Sequence, residues 1–257
     1  MKHLTLVETQ DGTFTARSDL FDECYHSTRD GALKESLKKH VEPAFSLIGS
    51  NRDRITVLDI CFGLGYNTLS TLYYLKKNAL AKKLRIVSPE FDEALVRSLS
   101  DFPYPEALKP FKEAIDSIAK TGKYENGGIS IEVIFGDARE FLRSTDETFD
   151  IVYQDAFSPK KNPMLWTKEY FADLTAHLAE DGIVTTYSSA TPVRMGMAEN
   201  GLHLYLPPSR EVRSGTIASL RDDLPLVPID MRPKKERNPL AAPLCDKDIV
   251  ASTLNNA

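Results

Sequence analysis

"ITVLDICFGLGYNTLSTLYYL", residues Ile55–Leu75, decides the fold. The aliphatic, β-branched run ITVLDI reads as a buried strand, Gly63 and Gly65 mark a turn, and YNTLSTLYYL starts a helix. Four further strand candidates, LRIVSPE, ISIEVIF, FDIVYQD and GIVTTYS, repeat the rhythm, each followed by a helical segment. Short apolar strands separated by helices need a mostly parallel sheet covered on both faces. The fold class is therefore α/β, a doubly wound Rossmann-like sheet.

Working outward, LTLVET and TFTAR flank QDG, a hairpin signal. RDGALKESLKKHVEPAFSLI then spaces Ala32, Leu33, Leu37, Val41 and Phe45 at helical intervals, with Pro43 bending or breaking the helix near its end. Residues 1–50 thus form a hairpin-and-helix cap, and 51–222 the main domain. Near its end, LHLYL and SGTIASL are too close for a parallel crossover and must pair antiparallel at one edge. Residues 223–257, rich in proline and charge, read as an extended tail.

The chain has 257 residues, 42% hydrophobic and 27% charged, enough to bury a core without staples. Cys24, Cys61 and Cys245 are far apart and form no C-x-x-C pair, which implies a reducing compartment and neither a disulfide framework nor a zinc site. No run approaches the roughly 18–20 apolar residues of a membrane helix, so the expectation is a cytoplasmic protein without a membrane partner. A net charge of −5 argues against general polyanion binding and confines any nucleic-acid contact to a local patch. The five histidines are scattered and suggest no metal; only His26, in CYHSTRDG, falls near a ligand site, with a surface role equally open.

In an open parallel sheet, ligands bind beyond the carboxyl ends of the strands. Asp59 ends the first strand, and the glycines after it let the backbone turn sharply and approach a ligand, a tight turn being the plainer alternative. Glu90 ends the second and is suited to accept hydrogen bonds from two ribose hydroxyls, a solvated acid at a helix start being the equal alternative. Asp137, in FGDAREFL after the third, is a helix N-cap candidate and also a partner for the exocyclic amine of adenine. Together the three resemble the fold of S-adenosylmethionine-dependent methyltransferases. No G-x-x-x-x-G-K-[ST] run is present, and a G-x-G-x-x-G fingerprint is broken by Cys61 and Thr68.

The fourth strand runs into QDAFSPKKNPMLW, residues Gln154–Trp166. Asp155 lies where such an enzyme presents its methyl acceptor. An amine must be neutral to attack, whereas a free alkylamine has a pKa of roughly 10. A carboxylate at the strand end can orient the ammonium and accept its proton. It also raises the pKa of the amine it pairs with, so orientation is its larger contribution.

With these residues in hand, DICFGLGYNTL, FGDAREFL, QDAFSPKKNPMLWTKEYFADL and GIVTTYSSATPVRMGMAENGL resemble the methyltransferase module of the bacterial family that makes 5-methylaminomethyl-2-thiouridine at the tRNA wobble position. The resemblance runs from about Phe21 to Leu220. It implies methyl transfer from S-adenosyl-L-methionine to the primary amine of 5-aminomethyluridine, by a stand-alone module with tRNA as partner. Carried over by position, Phe62, Gly63, Gly65 and Asn67 fall at the cofactor loop, Glu90 at the ribose, Asp137 and Ala138 at the adenine, and Asp155 at the amine. Lys160, Lys161, Asn162 and Arg194 would meet RNA, and Tyr187 or Trp166 would stack on a base, with a core anchor the favoured reading for Trp166.

Two positions depart from the family pattern. Cys61 replaces a loop glycine, which a negative φ would accommodate. EVRSGTIA replaces a basic stretch, leaving Arg213 there and RPKKER in the tail as a substitute. Two other functions fit the same fold: an aminopropyltransferase of the spermidine-synthase type, and a non-catalytic RNA- or cofactor-binding module.

Overall fold

Asp11, at the tip of the first hairpin, ties the hairpin together: its carboxylate accepts from the Thr9 and Thr13 hydroxyls, both at 2.6 Å, and from Thr13 N at 3.0 Å. Thr13 Oγ1 in turn accepts from Ala32 N at 3.0 Å, fastening the hairpin to the helix that follows. The computed structural model describes residues 4–48, 52–80, 83–209 and 211–249. Parts of the expected cap and tail therefore lie outside the described residues.

Strands β1 (Leu4–Glu8), β2 (Phe14–Ser18) and β3 (Glu23–Cys24) make a small antiparallel sheet. Helix α1 (Ala32–Glu35) continues through a π-helical turn, Ser36–Val41, into α2 (Glu42–Leu47). The break in this helix is thus a π turn ahead of Pro43. Of the expected face, Ala32 and Val41 are 0% exposed and Leu33, Leu37 and Phe45 half-buried; the wider winding also buries Ser36, His40 and Ala44, all 0% exposed.

The main sheet then alternates strand and helix: β4 (Arg54–Ile60), α3 (Tyr66–Lys77), β5 (Lys83–Glu90), α4 (Glu93–Arg97), α5 (Lys112–Thr121), β6 (Lys123–Asn126), β7 (Ile129–Phe135), α6 (Ala138–Ser144), β8 (Phe149–Gln154), α7 (Lys168–Ala176), β9 (Leu178–Thr186), α8 (Thr191–Glu199), β10 (His203–Tyr205) and β11 (Thr216–Ser219). The strand order is β10-β11-β9-β8-β4-β5-β7-β6. The five central strands are parallel, and β4 pairs β5 on one side and β8 on the other, so the order reverses beside it. The β10–β11 and β11–β9 pairs are antiparallel, as the short connection requires. β6 was not expected: it pairs antiparallel with β7 across Gly127–Gly128, and its exposed Lys, Glu and Asn give no apolar signal.

Side chains alternate between two cores. Val57, Ile151 and Tyr153 pack with α2, α3 and α5, whereas Leu58, Val152 and Val184 pack with α6, α7 and α8. Burying each of the aliphatic side chains among these contributes about 1.5–3 kcal/mol, which fixes the sheet rigidly beneath its carboxyl edge.

The tail is not simply extended. Arg232–Arg237 forms α9, exposed on all sides, and the chain then crosses α7. There Leu244 O accepts from Lys168 N at 2.8 Å, and Asp246 pairs with the buried Arg139, whose Nη1 lies 2.8 Å from Asp246 Oδ1.

Candidate active site

A cleft of about 990 Å³ opens at the carboxyl edge of the sheet, between the N-terminal cap and the loops after β4, β5, β7, β8 and β9. Phe62, Gly63, Asn67, Glu90, Asp137, Ala138, Asp155, Lys160, Asn162 and Tyr187 all line it, so most of the expected site residues converge.

The loop after β4 is shaped by left-handed backbone. Gly63 has φ 53° and Gly65 φ 72°; an added Cβ would stand 3.1 Å from the Tyr25 ring and 3.0 Å from the Phe62 ring. Cys61 also lies there, at φ 66°, contrary to the negative φ expected of it. A non-glycine residue in this region costs about 1–2 kcal/mol, which the packing around the loop offsets. Burial pushes the Cys61 thiol well up, so it lines the cleft protonated.

Glu90 is buried and organises two loops at once: Oε2 accepts from Gly63 N and Oε1 from Asp92 N, both at 2.8 Å. Burial raises its pKa, and those two N–H groups oppose the rise. Asp137 is the N-cap of α6, its Oδ1 accepting from Arg139 N at 2.7 Å; it is exposed on the cleft. Capping and ligand contact are compatible, because only one of its oxygens is engaged by the helix.

Asp59 stands elsewhere than expected. It is 0% exposed and absent from the cleft lining, its Oδ2 accepting from Thr68 Oγ1 at 2.8 Å and Oδ1 facing Asn67 Nδ2 at 3.4 Å. The same Asn67 amide donates to Asp155 Oδ2 at 2.8 Å, so Asp59 braces Asn67 and Asn67 braces Asp155. Burial pushes the Asp59 carboxyl up to about 7, against the pull of Thr68, His40 and Asn67. A raised folded-state pKa means stability that is complete below the unfolded value of 3.8 and lost as pH rises through about 7. The Tm difference between wild type and Asp59→Asn is therefore expected to move in the variant's favour between pH 5 and pH 8, by on the order of 5 °C. Thermal melts of both proteins across that range check it, and a difference constant with pH would contradict it.

Asp155 is held from behind. Asn67 holds one oxygen, and His40 Nε2 lies 3.4 Å from the other, an ion-pair separation without hydrogen-bond geometry. Burial pushes its pKa up, but His40, His26 and Asn67 together outweigh burial and keep the carboxyl below its usual range. It faces the cleft as an anion.

The loop leaving β8 is braced throughout. Gln154 Nε2 donates to Leu165 O at 2.9 Å, and Trp166, 0% exposed, donates to Phe157 O at 2.8 Å, making Trp166 a core anchor. Phe157 stacks on Phe21 of the cap, and Ser158 N donates to Glu23 Oε2 at 3.0 Å. Lys160 and Lys161 project outward at the rim, Lys161 reaching Asp22 at 3.2 Å. Tyr187 lies beneath, its hydroxyl donating to Ala156 O at 2.9 Å and its ring edge-on to Trp166. Arg194 points away from the cleft: its guanidinium donates to Thr216 Oγ1 and Gly215 O, bracing the β9–β11 edge in place of gripping phosphate.

Residues of the cap complete the wall. His26 is buried, which lowers its pKa against the opposing pull of Asp155 and Glu35, so the surface role left open for it is excluded. Glu35 and Lys39 pair beside it within the cleft, and both are buried. His40 was missed altogether. The signal for it was a polar pair, Ser36 and His40, spaced four apart in line with Ala32 and Ala44.

The lining carries the acids Glu90, Asp137 and Asp155, and S-adenosyl-L-methionine carries hydrogen-bond donors and a positive charge that such acids can meet. By this chemistry S-adenosyl-L-methionine fits the cleft. Among the described residues no group of three His, Cys, Asp or Glu side chains is placed to hold a metal ion, and no helix is long and apolar enough to cross a membrane.

Known proteins resemble this arrangement. A family model for S-adenosyl-L-methionine-dependent methyltransferases matches residues 105–221. The crystal structure of MnmC2 from Aquifex aeolicus superposes with a TM-score of 0.82 at 31% identity, over 95% of this chain and 79% of that one. An uncharacterized protein of Methanocaldococcus jannaschii is 35% identical over 200 residues, 76% of this chain and 53% of its own. The tRNA 5-methylaminomethyl-2-thiouridine biosynthesis bifunctional protein MnmC of Pseudomonas fluorescens is 30% identical over 192 residues, 69% of this chain and 29% of its own. The chain thus spans about half or less of the length of these curated relatives.

Proposed function

We propose, from the premise that the chain belongs to the S-adenosyl-L-methionine-dependent methyltransferase family that includes MnmC2, that it methylates the primary amine of 5-aminomethyluridine, with or without the 2-thio group, at the wobble position of tRNA. When bound, the cofactor supplies an electrophilic methyl group on a sulfonium. The observation that carries the reading is Asp155: an anionic carboxylate at the cleft end of β8, fixed by Asn67 and backed by His40.

In this reading Glu90 holds the ribose hydroxyls, Asp137 and Ala138 the adenine, and the Gly63–Gly65 loop passes close beneath. Asp155 draws a primary ammonium to the cleft end of β8 and orients its nitrogen. Aligning two bound reactants supplies much of the acceleration, and Asp155 directs the acceptor's side of that alignment. Asn162 on the cleft wall, with Lys160 and Lys161 at the rim, meets the phosphates and sugars that position an anticodon loop. Such contacts set register without reading sequence. The names of the MnmC relatives, which concern tRNA 5-methylaminomethyl-2-thiouridine biosynthesis, support this substrate class.

The test supplies purified protein with labelled S-adenosyl-L-methionine and tRNA bearing 5-aminomethyluridine, followed by nucleoside analysis. Label is expected in 5-methylaminomethyluridine. Cofactor binding without any label in the wobble nucleoside refutes the reading, and faster turnover of decarboxylated cofactor points to aminopropyl transfer.

A further inference from the structure

We propose that His40 is a positioning residue for methyl transfer: as an imidazolium behind Asp155 it offsets that carboxylate's charge, so that the acceptor amine is held in line yet gives up its proton. The inference rests on the reading of Asp155 as the group that faces the amine.

The difficulty His40 resolves is electrostatic. A lone carboxylate beside an ammonium stabilises the charged form and raises the amine's pKa, so the group that binds the acceptor also keeps it unreactive. A compensating cation behind the carboxylate removes that penalty and leaves the hydrogen-bonding oxygens in place. His40 stands there: it is 0% exposed, its Nδ1 is 2.9 Å from Thr185 Oγ1, and its Nε2 is 3.4 Å from Asp155 Oδ1 with no other hydrogen-bond partner. With Nε2–H toward Asp155, Nδ1 can accept from the Thr185 hydroxyl in the neutral ring or donate to it in the imidazolium, and 15N imidazole spectra distinguish the two. Burying a polar nitrogen without a partner is costly, so the empty valence at Nε2 marks Asp155 as its intended partner.

The groups facing His40 carry both signs. Asp155 and, across Asn67, Asp59 face it from the strand ends; Tyr153 lies edge-on at 5.7 Å; His26 approaches from the cap; and Glu35 and Lys39 share its own helical segment. The π turn is what rotates His40 inward toward β8 and β9, and such turns concentrate at functional sites. The proton step balances without a further reactant. One N–H bond of the ammonium breaks, its electron pair remains on nitrogen, and the proton passes to water at the cleft mouth.

The experiment compares kcat against pH for wild type, His40→Gln and Asp155→Asn, together with the Kd of S-adenosyl-L-methionine and 15N imidazole spectra. Glutamine keeps an N–H donor toward Asp155 but cannot carry charge. In His40→Gln the acid limb of kcat is expected to move up by at least about one pH unit, with kcat reduced about 10-fold at pH 7 and recovering as pH rises. Cofactor Kd stays within about threefold, and Asp155→Asn shifts the His40 nitrogen resonances. A wild-type limb in His40→Gln, or a loss uniform with pH, overturns the proposal even where the spectra couple the two residues. Wild-type kcat in Asp155→Asn removes instead the reading of Asp155 on which it rests, and unshifted resonances in that variant overturn the pair itself.

Discussion

Asp155→Asn is expected to lower kcat for methyl transfer by about 10²–10⁴-fold while leaving cofactor Kd within about threefold. The substitution is isosteric, and the remaining oxygen still accepts from Asn67 at the position now held 2.8 Å away. What is lost is the charge that draws the ammonium to the strand end and orients its nitrogen. The adenosyl half of the cleft, built on Glu90 and Asp137 at the ends of other strands, is untouched, which is why binding survives. Steady-state kinetics on modified tRNA, with calorimetric titration of the cofactor, separate the two quantities. A variant that turns over like wild type eliminates Asp155 as the residue that orients the acceptor.

Glu90→Gln reverses the pattern, with cofactor Kd raised about 100-fold and kcat at saturation changed by less than about threefold. Hydrogen bonds to an ionised acceptor are worth about 1.5–3 kcal/mol, and a 100-fold change corresponds to about 2.7 kcal/mol. The amide cannot accept from both Gly63 N and Asp92 N, so the turn under the cofactor loosens as well. Equilibrium binding measures the first effect and saturating kinetics the second. Unchanged affinity would falsify the role given to Glu90.

The sheet was legible because its strands are buried on both faces and therefore read as short apolar runs, from ITVLDI to GIVTTYS. The carboxyl ends of those strands then located Glu90, Asp137 and Asp155 by position alone. What escaped were features created by tertiary packing. Asp59 is indistinguishable in sequence from a ligand-binding acid, and only its 0% exposure and its bond to Thr68 make it a brace. Arg194 sits in a stretch that resembles a functional motif, yet its guanidinium turns toward β11. The φ of Cys61 is imposed by the loop and not by its own preference. His40 needed the π turn, whose winding has no simple signature in a pattern read at 3.6 residues per turn.

The bond between His40 and Thr185 spans 145 positions of the chain and joins the cap to a strand laid down after four others of the parallel sheet. Contacts so distant in sequence form late, because the intervening chain must be ordered before they reward its closure. In refolding, the helix of His40 and the strand of Asp155 can each be complete while the environment that makes them useful is still absent. Catalytic competence should accordingly return with the last cooperative phase of folding, behind the recovery of helical signal, so that partly folded chains emerging from synthesis remain chemically silent.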